Sequence, residues 1–252
     1  MKNFCLMLCL ILASCSTENE QIIPNKVIPK EVINTWGASG QSGRTIYEYD
    51  SNWNFISDGT SIRVLEYKNG KIHKLRSSYS VSPSVVYAFE YEGNRIKKLL
   101  GDDGNNVTYF YNDDGYVKKI EHDIDLDFSN KEVIEFEYTE GKNIKKRTEF
   151  FKLLNGNLRT SQIFEYSDFD NKFCPYINWD RNLKEFLMFF ESYINTNTNN
   201  YQSYKYTFLH SNGNSTEDLD TIRYEYNDLG YPGESFWYRN NTLSLSSVFS
   251  YH

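Results

Sequence analysis

Cysteine, histidine, proline and basic charge are all scarce in these 252 residues. There are 4 Cys, 4 His and 5 Pro, and 27 Lys and Arg stand against 34 Asp and Glu, a net charge of −7. Three of the cysteines (Cys5, Cys9 and Cys15) fall at the extreme N-terminus, which leaves Cys174 alone and excludes an internal disulfide framework. Its neighbours Lys172, Phe173, Pro175 and Tyr176 suit a packed thiol better than a reactive one. His73, His122, His210 and His252 are scattered, with no two at metal-ligand spacing. No phosphate loop or nucleophile elbow occurs, so the reading carries no cofactor, no metal and no catalytic residue. The acidic balance argues against a nucleic-acid partner, which requires a basic footprint.

Long apolar runs are also missing, apart from one. Phe4 to Ala13 follows the single charge of Lys2 and is too short to span about 30 Å of hydrocarbon, so residues 1–14 read as a signal peptide. Loss of Lys2 with that leader would leave 26 basic and 34 acidic residues. Leu12-Ala-Ser-Cys15 resembles the lipobox of bacterial lipoproteins, which implies lipidation at Cys15 and a membrane partner through the acyl chains. Ser16 after the Cys implies the outer membrane, and Ser16-Thr-Glu-Asn-Glu20 looks like the acidic stretch that sends Bacteroidota lipoproteins to the cell surface. Residues 15–44, with Pro24, Pro29 and a Gly/Ser stretch, read as the lipidated Cys and a tether.

What the chain has in quantity is tyrosine, 21 residues, with 17 Phe. They recur in short strands that end at Tyr49, Tyr67, Tyr91, Tyr111, Tyr138, Tyr166, Tyr206 and Tyr226, spaced 18 to 40 residues apart. Such self-similarity marks a repeat architecture over 45–252. Within each unit the period is two: Leu65/Tyr67, Phe89/Tyr91, Phe136/Tyr138 and Phe164/Tyr166 face inward, and the intervening Glu faces out. Lys68-Asn-Gly-Lys71 predicts a two-residue type I′ hairpin, and Asp113-Asp-Gly115 a three-residue loop with a left-handed Gly.

The returning strands carry Ile72-His-Lys-Leu75, Ile96-Lys-Lys-Leu99, Val117-Lys-Lys-Ile120 and Ile144-Lys-Lys-Arg147. Apolar residues three apart cannot share a strand face. The pattern therefore predicts a β-bulge at each basic pair, with Leu75 opposite Leu65, and an outer lattice of Glu against Lys. One stretch, about 180–194, has helical spacing at Leu183, Phe186, Leu187, Phe190 and Ile194. It predicts a helix capped by Asp180 or Asn182, with Lys184 and Glu191 on its polar side.

The fold expected is mainly β: tandem antiparallel hairpins forming one strongly curved sheet, open or barrel-like, with a single helix on its concave face. Tyr109-Phe-Tyr-Asn-Asp-Asp-Gly-Tyr-Val117 and Tyr224-Glu-Tyr-Asn-Asp-Leu-Gly-Tyr-Pro232 are similar to the YD repeats of bacterial surface proteins. With the lipobox, they resemble a group of Bacteroidota lipoproteins carrying a YD-repeat-like domain of unknown function.

Candidate chemistry is sparse. Asp102/Asp103, Asp113/Asp114 and Asp218/Asp220 are paired carboxylates placed in or beside turns, where Asp is favoured for backbone reasons. Asp123-Ile-Asp-Leu-Asp127 opens like a calcium loop, but Phe128 and Ile134 stand where Gly and Glu belong. Trp36, Trp53, Trp179 and Trp237 fall near turns or element ends, and Trp53, Trp179 and Trp237 are the candidate ligand-binding residues. The expected function is a non-enzymatic, lipid-anchored envelope binding protein for a glycan, peptide or partner protein. A hydrolase acting on a surface polysaccharide and a purely structural envelope component are the alternatives.

Overall fold

The computed structural model describes residues 27–78, 84–123, 131–152, 156–190 and 197–252. Positions 1–26, including Cys15, the acid-rich stretch at 124–130, and 191–196, where the expected helix was to end, lie outside them. Among the described residues are 17 strands and one helix. The first half comprises β1 (Pro29–Trp36), β2 (Ser42–Ile46), β3 (Glu48–Tyr49), β4 (Phe55–Ser57), β5 (Ile62–Lys68), β6 (Lys71–Ser77), β7 (Val85–Glu92) and β8 (Arg95–Gly101). Then come β9 (Asn106–Tyr111), β10 (Val117–Asp123), β11 (Lys131–Tyr138), β12 (Ile144–Lys152) and the long β13 (Leu158–Phe173). Helix α1 (Arg181–Phe190) precedes β14 (Asn199–Leu209), β15 (Ser215–Tyr226), β16 (Pro232–Arg239) and β17 (Thr242–Tyr251).

Apart from β2 and β3, which are separated by Tyr47 alone, each strand pairs antiparallel with the next, and β1 pairs with both β17 and β2. The result is one barrel-shaped, nearly closed sheet, which removes the exposed edges that invite aggregation. It is thinnest between β4 and β5, where Ser57 and Arg63 form the one pair. There the Asp58 carboxylate substitutes for ladder bonds, accepting from the amides of Thr60, Ser61 and Ile62. Sheet begins at Pro29, so the segment expected as a tether to residue 44 is in part barrel wall.

The register follows the bulge rule. Tyr91 pairs with Ile96 and Glu90 with Lys98, leaving Lys97 as the extra residue. Lys118 is extra between Tyr111↔Val117 and Phe110↔Lys119, and Lys145 between Tyr138↔Ile144 and Glu137↔Lys146. His73 is extra in β6, but β5 carries a second irregularity at Leu65. Leu75 consequently faces Val64, and Leu65 is turned outward at 42% exposure, against expectation. Pro232 opposes Tyr226 at a further bulge, in the body of the sheet. The turns are as expected: Asn69 and Gly70 both have positive φ, and Gly115, at φ 85°, closes the Asp113-Asp114-Gly115 loop.

Inside, Ile72, Leu75, Ile96, Leu99, Val107 and Ile120 are fully buried against Leu183, Phe186 and Leu187 of α1. Burial of each such side chain is worth about 1.5–3 kcal/mol. Asp180 caps α1, its carboxylate accepting from the amides of Asn182 and Leu183. Lys184, expected on a solvated face, instead donates to the carbonyl of Ile177 at 3.0 Å, and burial lowers its pKa.

Candidate functional site: the internal cavity

Alternate residues of every strand face the barrel interior, but their chemistry changes around the wall. Along β5 to β11 the inward sites are Ile, Leu, Val and aromatic residues, and α1 fills the space before them. Along β15, β16, β17, β1 and β2 one cross-strand row runs Tyr224, Ser235, Ser247, Asn34 and Gly43. The side chains along this row are too small or too polar to fill the interior, and a cavity of about 510 Å³ remains in front of it.

The register explains how it arises. Ser235 follows the Pro232-Gly233-Glu234 bulge, at the repeat position that Leu75, Leu99 and Ile120 occupy elsewhere. A hydroxymethyl group thus stands where those three units place a buried Leu or Ile. Ser247 donates to the Oδ1 of Asn34 at 2.7 Å. Ser235, 2% exposed, lines the cavity beside them. At Gly43 a Cβ would fall 2.8 Å from the Trp36 ring, so this glycine lets the indole lie against the backbone.

Aromatic rings supply the rest of the lining. Trp179 and Trp237, proposed from the sequence as ligand-binding residues, both line this cavity, as does Trp36. The Trp179 indole donates to the Tyr49 hydroxyl at 3.0 Å and lies 5.3 Å from the Tyr47 ring. Trp237 sits in the middle of β16, not at an element end, and packs edge-on against Tyr201 and Tyr204. Trp53 is elsewhere: 48% exposed at a turn with φ 62°, it lies 5.4 Å from the His252 ring.

The charges in the lining are committed to one another. Arg239 is bidentate to Asp220, at 2.8 and 3.0 Å, and its third nitrogen is 3.6 Å from Asp218. Asp58 is held by its three backbone amides. The Asp218/Asp220 pair therefore belongs to strand β15 as an ion-pair partner, not to a turn. Asp102 accepts from the Val86 amide of β7, and Asp103 from the Asn105 amide in the turn. Cys174 is fully buried, and burial pushes its thiol up to about 12, the environment of an inert thiol.

The sequence matches no protein-family model and no curated protein. Among solved structures, a porin-like protein from Bacteroides vulgatus superposes with a TM-score of 0.56 at 13% identity, over 90% of this chain and 99% of its own. A porin-like protein from Bacteroides uniformis aligns with a TM-score of 0.42 at 11% identity, over 89% and 96%. The first likeness is one of fold.

The wall itself is polarised opposite to a lipid-embedded barrel. Glu90, Lys97, Lys118, Glu137 and Glu165 are exposed on its outer face, and Ile72, Leu75, Ile96, Leu99 and Ile120 point inward, although Ile33, Leu65, Leu219 and Val248 are scattered exposed apolar residues. A membrane-spanning barrel needs an outward apolar band, and each Lys or Arg at mid-bilayer costs about 2–4 kcal/mol.

The polar row was legible only in part. Its sequence signals are Ser235 at a repeat position that Leu75, Leu99 and Ile120 fill in other units, and the serines of β17. Its assembly depends on the β1–β17 closure, which strand patterns do not encode.

Proposed function

We propose that this chain is a non-enzymatic binding protein of the outer membrane, held by lipid at Cys15 and displayed on the cell surface, with its ligand inside the barrel. The observation that carries the binding role is the switch of the inner wall from Ile and Leu to Ser, Asn and Gly in front of a cavity. Apolar filling at those positions would be more stable, so the space is maintained against a stability cost. Pockets for small ligands span about 300–1,000 Å³, which brackets this one. The charged outer face favours a lipid tether over insertion of the strands, and the fold shared with a porin-like Bacteroides protein is consistent with an envelope setting.

Two measurements test this reading. Cys15→Ala should move the protein from the membrane to the soluble fraction and abolish fatty-acid labelling. Retained labelling would refute the anchor. Native mass spectrometry of protein purified from its own envelope should show a small-molecule adduct that Ser235→Leu removes. An adduct unchanged by that substitution would refute the cavity as the site.

A further inference from the structure

We infer that the cavity takes a neutral, hydroxyl-rich ligand of one or two sugar rings, a specification that rests on the binding role proposed above. Charge is the first argument. The cation in the lining, Arg239, is saturated by Asp220 and Asp218, and Asp58 is satisfied by backbone amides. An anionic ligand would find no uncommitted cation there and two carboxylates nearby. A cationic ligand would have to break an existing pair.

The polar lining is the second argument. Ser235, 2% exposed, lines the cavity together with Asn34 and Tyr224. Asn34 accepts from Ser247 through its Oδ1, which leaves the amide nitrogen as the donor end of that side chain. Polar groups that line a cavity hydrogen-bond what fills it, whether ligand or water. Two of these three groups are hydroxyls, which donate and accept alike and therefore suit other hydroxyls.

Aromatic surface is the third argument. Trp36, 46% exposed, stands at the mouth, with Trp179 and Trp237 deeper in. Flat rings beside hydroxyl groups match a sugar, which presents apolar C–H faces and polar edges. Size agrees: at about 30 Å³ per water, the space holds roughly 17 waters, and so has room for one or two rings but not for a folded partner.

The test titrates the purified protein with glucose, maltose, cellobiose and glucuronic acid, reading tryptophan fluorescence and thermal melting. At least one neutral sugar should bind saturably with a dissociation constant at or below about 1 mM. Ser235→Leu, which restores the residue the repeat uses elsewhere, should abolish that binding while keeping or raising the melting temperature. Trp36→Ala should weaken it roughly tenfold. Tighter binding of glucuronic acid than of any neutral sugar would overturn the inference, as would sugar binding untouched by Ser235→Leu. If no sugar binds but native mass spectrometry shows a Ser235-dependent adduct, the carbohydrate assignment falls and the binding role stands. If neither appears, both fall.

Discussion

The hydroxyl of Tyr91 donates to the carbonyl of Ile72 at 2.6 Å, one strand back in the barrel. The same bond recurs from Tyr67 to Phe55, Tyr111 to Ile96, Tyr138 to Val117 and Tyr251 to Pro232, at 2.6–2.8 Å. In each case the acceptor is the residue just before a bulge. The ladder from β6 to β7 stops at Lys74↔Ala88, so the Ile72 carbonyl has no backbone partner in β7. In these units the Tyr supplies the missing donor, whereas Tyr206 and Tyr226 donate to the side chains of Gln162 and Asp170. Tyr91→Phe should therefore cost about 1–3 kcal/mol in denaturant unfolding, although it removes one atom and no apolar area. A cost near zero would mean water replaces the hydroxyl.

Alkaline pH reads the same ladder collectively. Burial is the main cause that raises Tyr67, Tyr91, Tyr111 and Tyr138 above the ordinary tyrosine range. Above about pH 10 the unfolded chain releases these protons while the folded chain keeps them. The native state then binds more protons, so stability falls as pH rises. Tyrosinate absorbance from this set should appear together with loss of the fold, in one steep step. A gradual titration in the intact protein would contradict the buried-donor arrangement.

Lys118 shows why the bulges matter more than their charge. It is the unpaired residue of β10, and beyond it Ile120 comes opposite Tyr109 with both facing inward. Deleting Lys118 would slip the register by one and turn Ile120 and its neighbours outward. The deletion should abolish cooperative folding, whereas Lys118→Ala should change stability by no more than about 0.5 kcal/mol. Equal behaviour of the two variants in thermal melting would refute the register argument.

Those bulges, the outer Glu/Lys lattice and the interior helix were legible because they repeat: a period of two interrupted by apolar residues three apart admits few solutions. Glu137 lies 3.4 Å from Lys145 and 3.8 Å from Lys146, as the lattice requires. Where Phe110 replaces the Glu, the Lys119 ammonium sits 4.2 Å over its ring. The role of the tyrosine hydroxyl was missed, although the preference for Tyr over Phe at one position signalled it. Leu65 was misplaced because a second irregularity in β5 leaves no mark in the local pattern. The polar row behind the cavity needed the closure of β1 on β17, a contact across more than 200 positions that local patterning cannot supply.

Arg147 is the other departure from the repeat, standing where Leu75 and Leu99 stand, and the reason lies in the helix. Its guanidinium is 5% exposed and donates to the Met188 carbonyl at 2.6 Å and the Phe189 carbonyl at 3.4 Å, at the C-terminal end of α1. A cation there complements the helix dipole. Its remaining partner is Glu149, at 2.6–2.8 Å. Burial raises the Glu149 pKa, and Arg147 opposes that rise. Arg147→Leu should leave a buried, unpaired carboxylate, costing about 3–5 kcal/mol at neutral pH. Because Glu149 then holds its proton more tightly in the folded than in the unfolded chain, the native state binds more protons and the penalty should shrink as pH falls. Arg147→Leu combined with Glu149→Gln should recover part of the loss and flatten that pH dependence in denaturant titrations. A penalty independent of pH would mean that Glu149 is solvated once Arg147 is gone.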